Sequence, residues 1–204
     1  MPAGKYISVV LLAAGRASRM GDKGCHKLLA EFGGVPLVRR SACAALESKP
    51  AELVVVTGHR SREIENALSG LPIRLVRNPD YELGIASSLN SGLAALAPSA
   101  AGMLVMLADM PKLTCAHLNA LIERFEQEEG NSVIRSVSRA QPGSPVIIPR
   151  RLFSAVMTLT GDMGAKHLLQ LPGIGVVDID IGDEAHTDVD TPEAVILHGG
   201  KLTT

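Results

Sequence analysis

An excess of charge of either sign is what this chain lacks. Twenty Lys and Arg stand against 21 Asp and Glu, a formal net charge of −1. No overall field would draw in a polyanion, so nucleic acid is not an expected partner and any anion site has to be local. Cysteine is scarce. Cys25, Cys43 and Cys115 are odd in number with no close pairing, which argues against a disulfide framework and a CxxC metal or redox site and fits a reducing compartment. Apolar runs of membrane length are missing. Residues 7–14 are too few for a span or for most secretory h-regions, and Arg16 and Arg19 follow where a small-residue cleavage site would be needed. A soluble, cytoplasmic protein with no membrane partner is expected. Internal repeats and low-complexity tracts are also absent. The histidines at 26, 59, 117, 167, 186 and 198 show no H-x-x-x-H spacing; His59 follows a strand and could contact substrate, and the others read as surface residues.

What is present is an apolar chain of 204 residues, 46% hydrophobic, enough for one substantial core and better suited to one large domain than to two small ones. Short β-branched runs alternate with amphipathic stretches, the pattern of strands joined by crossover helices in a mainly parallel sheet. The strands are ISVVLLAA, ELVVVTG, IRLVRN, GMLVMLAD, NSVIRSV, SPVIIP and GVVDID. Most are apolar on both faces, as strands covered on both sides must be. The helices are PLVRRSACAALES, REIENALSG, SSLNSGLAALA and AHLNALIERFEQE; in the last, Leu118, Leu121, Ile122 and Phe125 share one face. The expected fold class is α/β, a single three-layer α/β/α domain with a mostly parallel, Rossmann-like sheet. Ligands of such sheets lie beyond the carboxyl ends of the strands. That rule directs attention to the loop after Ala14, residues 57–60, the segment after Asn78, and Asp109.

The loop after the first strand reads GRASRMGDKGCHK. Gly15, Gly21 and Gly24 permit the positive φ values with which backbone N–H groups can line an anion-binding concavity. Arg19 and Lys27 add charge-assisted donors and Ser18 a hydroxyl. Neither familiar phosphate loop is spelled here. Asp22 follows Gly21 and Cys25 follows Gly24 where a Walker A loop needs Gly-Lys-Ser/Thr, and Ala17 and Met20 replace two glycines of a dinucleotide fingerprint. On composition alone a solvated loop serves equally well. Cys25 in this basic loop has no general base nearby in sequence and is not expected to be a nucleophile.

LAAGRASRMGDKGCHKLL resembles the signature of the nucleotidyltransferase superfamily that includes the molybdenum cofactor nucleotidyltransferases, the MobA-like NTP transferases. The segments VVVTGHR, NPDYELGIASSLNSGL, LADMP, GSPVIIPRRLF, GDMGAKHLL and DVDTPEAV follow in family order. Together they resemble the molybdenum cofactor cytidylyltransferase branch over nearly the whole chain. The resemblance implies one MobA-like domain over residues 1–204 with the nucleotide-diphospho-sugar transferase type of fold.

By the same resemblance Ala13, Ala14 and Gly15 lie near the nucleotide, Arg19 holds the β and γ phosphates, and Lys27 reaches the α phosphate. LAAG, with Ala14, is similar to the CTP-using branch, whereas guanylyltransferases usually read LAGG. Asp109 ends an apolar run where a carboxylate suits Mg2+; the alternative of a helix cap is weaker because Thr114 is nearer the helix start. Asp190 of DTPE matches a second Mg2+ contact and ranks above Asp188, although Asp-Thr-Pro-Glu is also a good helix start. Ser87 and Ser88, at a helix start after Gly84, are expected to contact nucleotide or second substrate, with plain capping as the alternative. Ser144 stands where the family often has His, and Lys166 where it has Arg. Both should border the acceptor pocket, where Lys keeps charge but loses a bidentate fork.

The implied activity is Mg2+-dependent transfer of CMP from CTP to the terminal phosphate of a molybdopterin-type cofactor, with release of pyrophosphate. Lys27, Arg19 and Asp109 are the catalytic residues, and a molybdenum hydroxylase is the protein served. Rival readings are the same chemistry on a sugar or alditol phosphate, an NAD(P)H-dependent oxidoreductase, and a non-catalytic carrier of the cofactor.

Overall fold

Strand β1 (Ile7–Ala13) is buried at every position, as a central strand covered by helices on both faces must be. In the computed structural model, which describes residues 6–20, 25–169 and 173–203 and not the side chain of Lys166, the chain then makes two short strands, β2 (Glu31–Phe32) and β3 (Val35–Pro36). It continues through α1 (Leu37–Glu47), β4 (Glu52–Thr57), α2 (Ser61–Ala67), β5 (Arg74–Arg77), α3 (Ile85–Ala94), β6 (Gly102–Leu107) and α4 (Cys115–Gln127). The second half adds β7 (Val133–Ser138), β8 (Gln141–Pro149), α5 (Phe153–Val156), α6 (Ala165–Leu168), β9 (Val176–Asp180), α7 (Pro192–Leu197) and β10 (Gly200–Lys201).

Seven strands form the main sheet in the order β5-β4-β1-β6-β8-β7-β9. β8 alone is antiparallel to its neighbours β6 and β7; the other pairings are parallel. From β1 the chain moves outward through β4 to β5, then crosses back to β6 on the other side of β1. Such a reversal opens a crevice at the carboxyl ends of the central strands. The all-helical-cover pattern fails at the edges, where Arg74, Leu75 and Arg77 of β5 are exposed, and charge on an edge strand blocks unwanted pairing.

Alternation along β1 sorts the core. Val9, Leu11 and Ala13 pack with Val38 and Ala42 of α1, Ile64 of α2 and Leu118, Leu121 and Phe125 of α4. Val10 and Leu12 face Ala86, Leu89 and Leu93 of α3 and Val156 of α5. These are the three layers. A further small sheet, β10-β2-β3, carries its own cluster of Met20, Ala30, Phe32, Leu37, Val189 and Val195. Because Met20 and Val189 share that cluster, their sequence neighbours Arg19 and Asp190 are brought to one place. Among the described residues no helix is long and apolar enough to cross a membrane.

Candidate active site

Beyond the end of β1 the backbone turns out of the sheet at Ala14 and is held by neighbouring strand ends. The His59 N–H donates to the Ala14 carbonyl at 3.1 Å, and the Ala108 N–H donates to Leu12 at 3.1 Å. Gly58 is required here: a Cβ would lie 2.8 Å from the Ala14 oxygen and 2.8 Å from Tyr81 Cβ. The result is a cavity of about 350 Å3, lined by Ala13, Ala14, Gly15, Arg16 and Lys27 on one side and Tyr81, Glu82, Gly84, Ile85 and Ser88 on the other, with Asp109 and Asp162 at its edge.

Lys27 dominates its floor. The ammonium donates to Asp109 Oδ2 and to Asp190 Oδ1, each at 2.5 Å, and its side chain is only 13% exposed. Asp190 is brought there by a backbone bond in which the Val189 N–H donates to the Asp109 carbonyl at 3.0 Å, and Thr191 caps α7 behind it with Pro192 at the first helical position. Arg19, exposed at 71%, pairs with the other oxygen of Asp190. The two carboxylates respond differently to the same ammonium. Burial pushes the Asp109 carboxyl up and outweighs Lys27. For Asp190 the desolvation is smaller, and Lys27 and Arg19 hold the carboxyl below its usual range. Burial would lower the Lys27 ammonium, but Asp109 and Asp190 overcome it and raise it.

One atom in this cluster is left over: Asp109 Oδ1 is buried without a hydrogen-bond partner. A buried carboxylate oxygen so placed costs desolvation unless a cation or donor arrives. Among the described residues no group of three or more His, Cys, Asp or Glu could hold a metal. With two carboxylates and the unpartnered Asp109 Oδ1, Asp109 and Asp190 suit a hard cation that takes its remaining ligands from water and substrate phosphates, which is how Mg2+ is usually bound.

Of the other residues expected from sequence, Ala13, Ala14 and Gly15 line the cavity, whereas Ser18 and Arg19, in a 3-10 turn (Ser18–Met20), stand outside its lining. Gly21 and Gly24 lie outside the described residues. The helix expected near Ser87 starts at Ile85, so Ser87 belongs to its first turn. Its hydroxyl donates toward the Asp80 and Gly84 carbonyls and accepts from Asn78 Nδ2. The Ala86 N–H donates to the Gly161 carbonyl. Ser87 thus ties its own loop together, and Ser88 is the serine that reaches the cavity. Gly84, at φ +99°, approaches Gly161 so closely that a Cβ would lie 2.3 Å from the Gly161 carbonyl.

His26 departs from the surface position expected of it: it is 2% exposed. Its Nε2–H donates to the Gly15 carbonyl at 3.3 Å, Nδ1 accepts from the Leu28 N–H, and its ring stacks on His59. Burial, partly offset by the Gly15 carbonyl, lowers its pKa to about 4. The imidazole is therefore a neutral strut under the opening loop. Sequence reasoning missed Arg16, which lines the cavity and pairs with Glu82 across its mouth at 3.2 Å. It also gave no role to Asp162 although the segment around it was recognised; the visible signals were the first cation after Gly15 and the acid of GDMG.

A second chamber of about 290 Å3 adjoins the first and shares Ile85, Leu107 and Asp162 with it. Its walls are mainly apolar, from Leu89, Val105, Val146 and Leu169, with Arg135, Ser144 and His167 as polar members. Arg135 on β7 makes a bidentate pair with Asp178 on β9, at 2.8 and 2.9 Å, and was not singled out by sequence. Ser144 borders this chamber, and the Lys166 side chain lies outside the described residues.

A profile of the MobA-like NTP transferase domain matches residues 9–177. The purine catabolism protein PucB of Bacillus subtilis strain 168 is 32% identical over 198 residues, 92% of this chain and 93% of PucB. The bifunctional protein GlmU of Novosphingobium aromaticivorans is 32% identical over 119 residues, 58% of this chain, and the chain spans only 26% of that protein's length. Among solved structures, a nucleotidyl transferase from Methanothermobacter, Mth528, superposes with a TM-score of 0.82 at 27% identity over 96% of this chain and 97% of its own. Rv0371c of Mycobacterium tuberculosis H37Rv, in complex with manganese, shares the fold at a TM-score of 0.80 and 22% identity, over 95% of this chain and 98% of its own.

Proposed function

Because the chain belongs to the MobA-like NTP transferase family, within the nucleotidyltransferase superfamily, we propose that it moves CMP from CTP to the terminal phosphate of a molybdopterin-type cofactor as a single domain over residues 1–204. The observation that carries this reading is the Asp109–Lys27–Asp190 cluster, of which Lys27 and Asp109 line a cavity of about 350 Å3 that shares Ile85, Leu107 and Asp162 with an apolar chamber. Charge is concentrated where a triphosphate would be cleaved. The apolar chamber suits an acceptor with a ring system, and Arg135 or His167 suits its anionic group. LAAG at residues 12–15 favours CTP.

An acceptor phosphate oxygen attacks the α phosphorus, the new P–O bond forms as the bond to the β-phosphate oxygen breaks, and the electron pair leaves with pyrophosphate. A phosphate monoester is already anionic at neutral pH, so no strong general base is needed. Lys27, which lines the cavity, neutralises the α phosphate. Arg16, Arg19 and the backbone of the opening loop hold the β and γ phosphates, and Ser88 orients the nucleoside from across the cavity. Asp109 and Asp190 would hold Mg2+, which supplies charge neutralisation for the attacked phosphate and the leaving pyrophosphate. The fold-related manganese complex supports a divalent ion in this scaffold.

The test is pyrophosphate release by purified protein with Mg2+ and each of CTP, GTP and ATP, with and without molybdenum cofactor. Release with CTP only when cofactor is present, lost in Asp109→Ala, is expected. Silence with every nucleotide despite intact cofactor would overturn the reading and favour another acceptor or a carrier role for a molybdenum hydroxylase.

A further inference from the structure

In the structure Asp109 and Asp190, the two carboxylates assigned to a divalent cation, are both engaged by one ammonium. Lys27 Nζ lies 2.5 Å from Asp109 Oδ2 and 2.5 Å from Asp190 Oδ1. Arg19 covers the second oxygen of Asp190, leaving Asp109 Oδ1 as the buried oxygen without a partner. The charges of Asp109, Asp190, Lys27 and Arg19 balance, and the exposed Asp188 adds one further negative charge nearby. A divalent ion seeking both acids must displace Lys27 and leave a largely buried ammonium unpaired, which is costly.

We infer that Lys27 acts as a resident counter-cation that excludes divalent metal from Asp109 and Asp190 until a nucleotide triphosphate draws the ammonium away. The inference rests on the metal-dependent transfer proposed above and adds an order to it. Lys27 lines the same cavity as Ala14 and Gly15, so a triphosphate seated on the opening loop offers the ammonium a new anionic partner. The lysine has a flexible four-carbon stem and a compact head with three donors, and it can exchange a carboxylate for a phosphate by rotation of that stem. Its departure leaves two carboxylates with a net negative charge beside a polyphosphate, an arrangement that takes up a divalent cation. Metal and nucleotide then bind cooperatively, because each removes what opposes the other. In this role Lys27 is a positioning residue while it holds the two carboxylates and a phosphate ligand once nucleotide binds.

The experiment is a Mn2+ titration of the full chain, read by water-proton relaxation enhancement, in wild type, Lys27→Met and Lys27→Arg. Without nucleotide, Lys27→Met should bind Mn2+ on the order of tenfold more tightly than wild type, or better, because a unit charge has been removed from beside both ligands. Lys27→Arg, which keeps the charge, should stay as weak as wild type. A Lys27→Met protein that binds Mn2+ no more tightly than wild type overturns the inference. Wild type with CTP separates the two levels: Mn2+ uptake there without a gain in Lys27→Met sinks the resident cation alone, whereas no uptake even with CTP sinks metal dependence too. Should Lys27→Met fail to fold, amidination of wild-type Lys27, followed by mass spectrometry, gives a second reading. High Mn2+ without nucleotide should speed that labelling several-fold, and an unchanged rate counts against displacement.

Discussion

The two cavities that meet at Asp162 are built on opposite terms. On the side proposed for the nucleotide, Arg16, Arg19, Lys27, Asp109 and Asp190 gather near the end of β1, and each charge is paired: Arg16 with Glu82, Arg19 and Lys27 with Asp190, Lys27 with Asp109. On the side proposed for the acceptor, mainly aliphatic walls carry Asp162, His167 and the Arg135 guanidinium, which a neighbouring strand keeps in place through Asp178. The first region manages charge and the second offers shape. Charges that neutralise one another within the site lie close to where a polyanion would need them, and Lys27 can exchange a carboxylate for a phosphate by rotation of its own stem. In the proposed reaction the apolar chamber would do the other half of the work, selecting an acceptor by fit.

The sharpest way to break this contrast is Asp109→Asn. It preserves shape but removes a charge from the nucleotide side, so turnover should fall about 100- to 1,000-fold. Isothermal titration should find acceptor binding unchanged. Weakened acceptor binding with intact turnover would mean that the charge serves the acceptor and that the division of labour is misdrawn.

That side was also the more legible in the sequence, for a physical reason. The opening loop is contiguous, and a strand followed by Gly15 and basic residues announces itself. Asp109 is an acid at the end of an apolar run, and the seven strands of the main sheet and helices α1 to α4 were visible as short apolar runs alternating with amphipathic stretches. What could not be read was where a side chain spends its hydrogen bonds. For Ser87 the sequence left nucleotide or second-substrate contact and plain capping both open, because its partners, Asn78 and the Asp80 and Gly84 carbonyls, are set by the path of a loop. His26 looked exposed because its burial depends on stacking against His59 from another strand end. β2, β3 and β10 have two residues each, too few for any period. The acceptor chamber is assembled from short pieces of α3, β6, β7, β8 and α6, and Arg135 carries no local signal at all.

His26 gives the next largest effect. Its pKa falls from 6.5 unfolded to about 4 folded, so between those values the unfolded chain binds more protons. Its contribution is intact above pH 6.5 and is lost as pH falls toward 4, by about 3 kcal/mol when fully titrated. Thermal melts from pH 7 to 4 should lose stability more steeply in wild type than in His26→Gln, and parallel curves would remove the neutral strut from beneath the nucleotide loop. Gly84 follows. With φ at +99° and a Cβ position 2.3 Å from the Gly161 carbonyl, Gly84→Ala should cost about 1–3 kcal/mol in urea unfolding. Because the two segments it joins border both cavities, the variant should weaken CTP and acceptor together; weakening of one alone would show that the cavities are less connected than they look.

Arg135→Ala is expected to have the smallest effect and to say most about the quiet half. The guanidinium reaches the chamber from β7 but is already held by Asp178 through two hydrogen bonds, so an acceptor anion would have to share it. A shared, partly solvated cation is worth less than a free one, and KM for the acceptor should rise about tenfold, a ratio corresponding to about 1.4 kcal/mol. KM for CTP should stay as it is. Arg135→Lys should fall between, since it keeps charge but loses the planar fork that can serve Asp178 and an acceptor at once. If Arg135→Ala instead raised KM for CTP, the chamber would belong to the nucleotide, and the acceptor would have to be sought on the exposed side of Arg19.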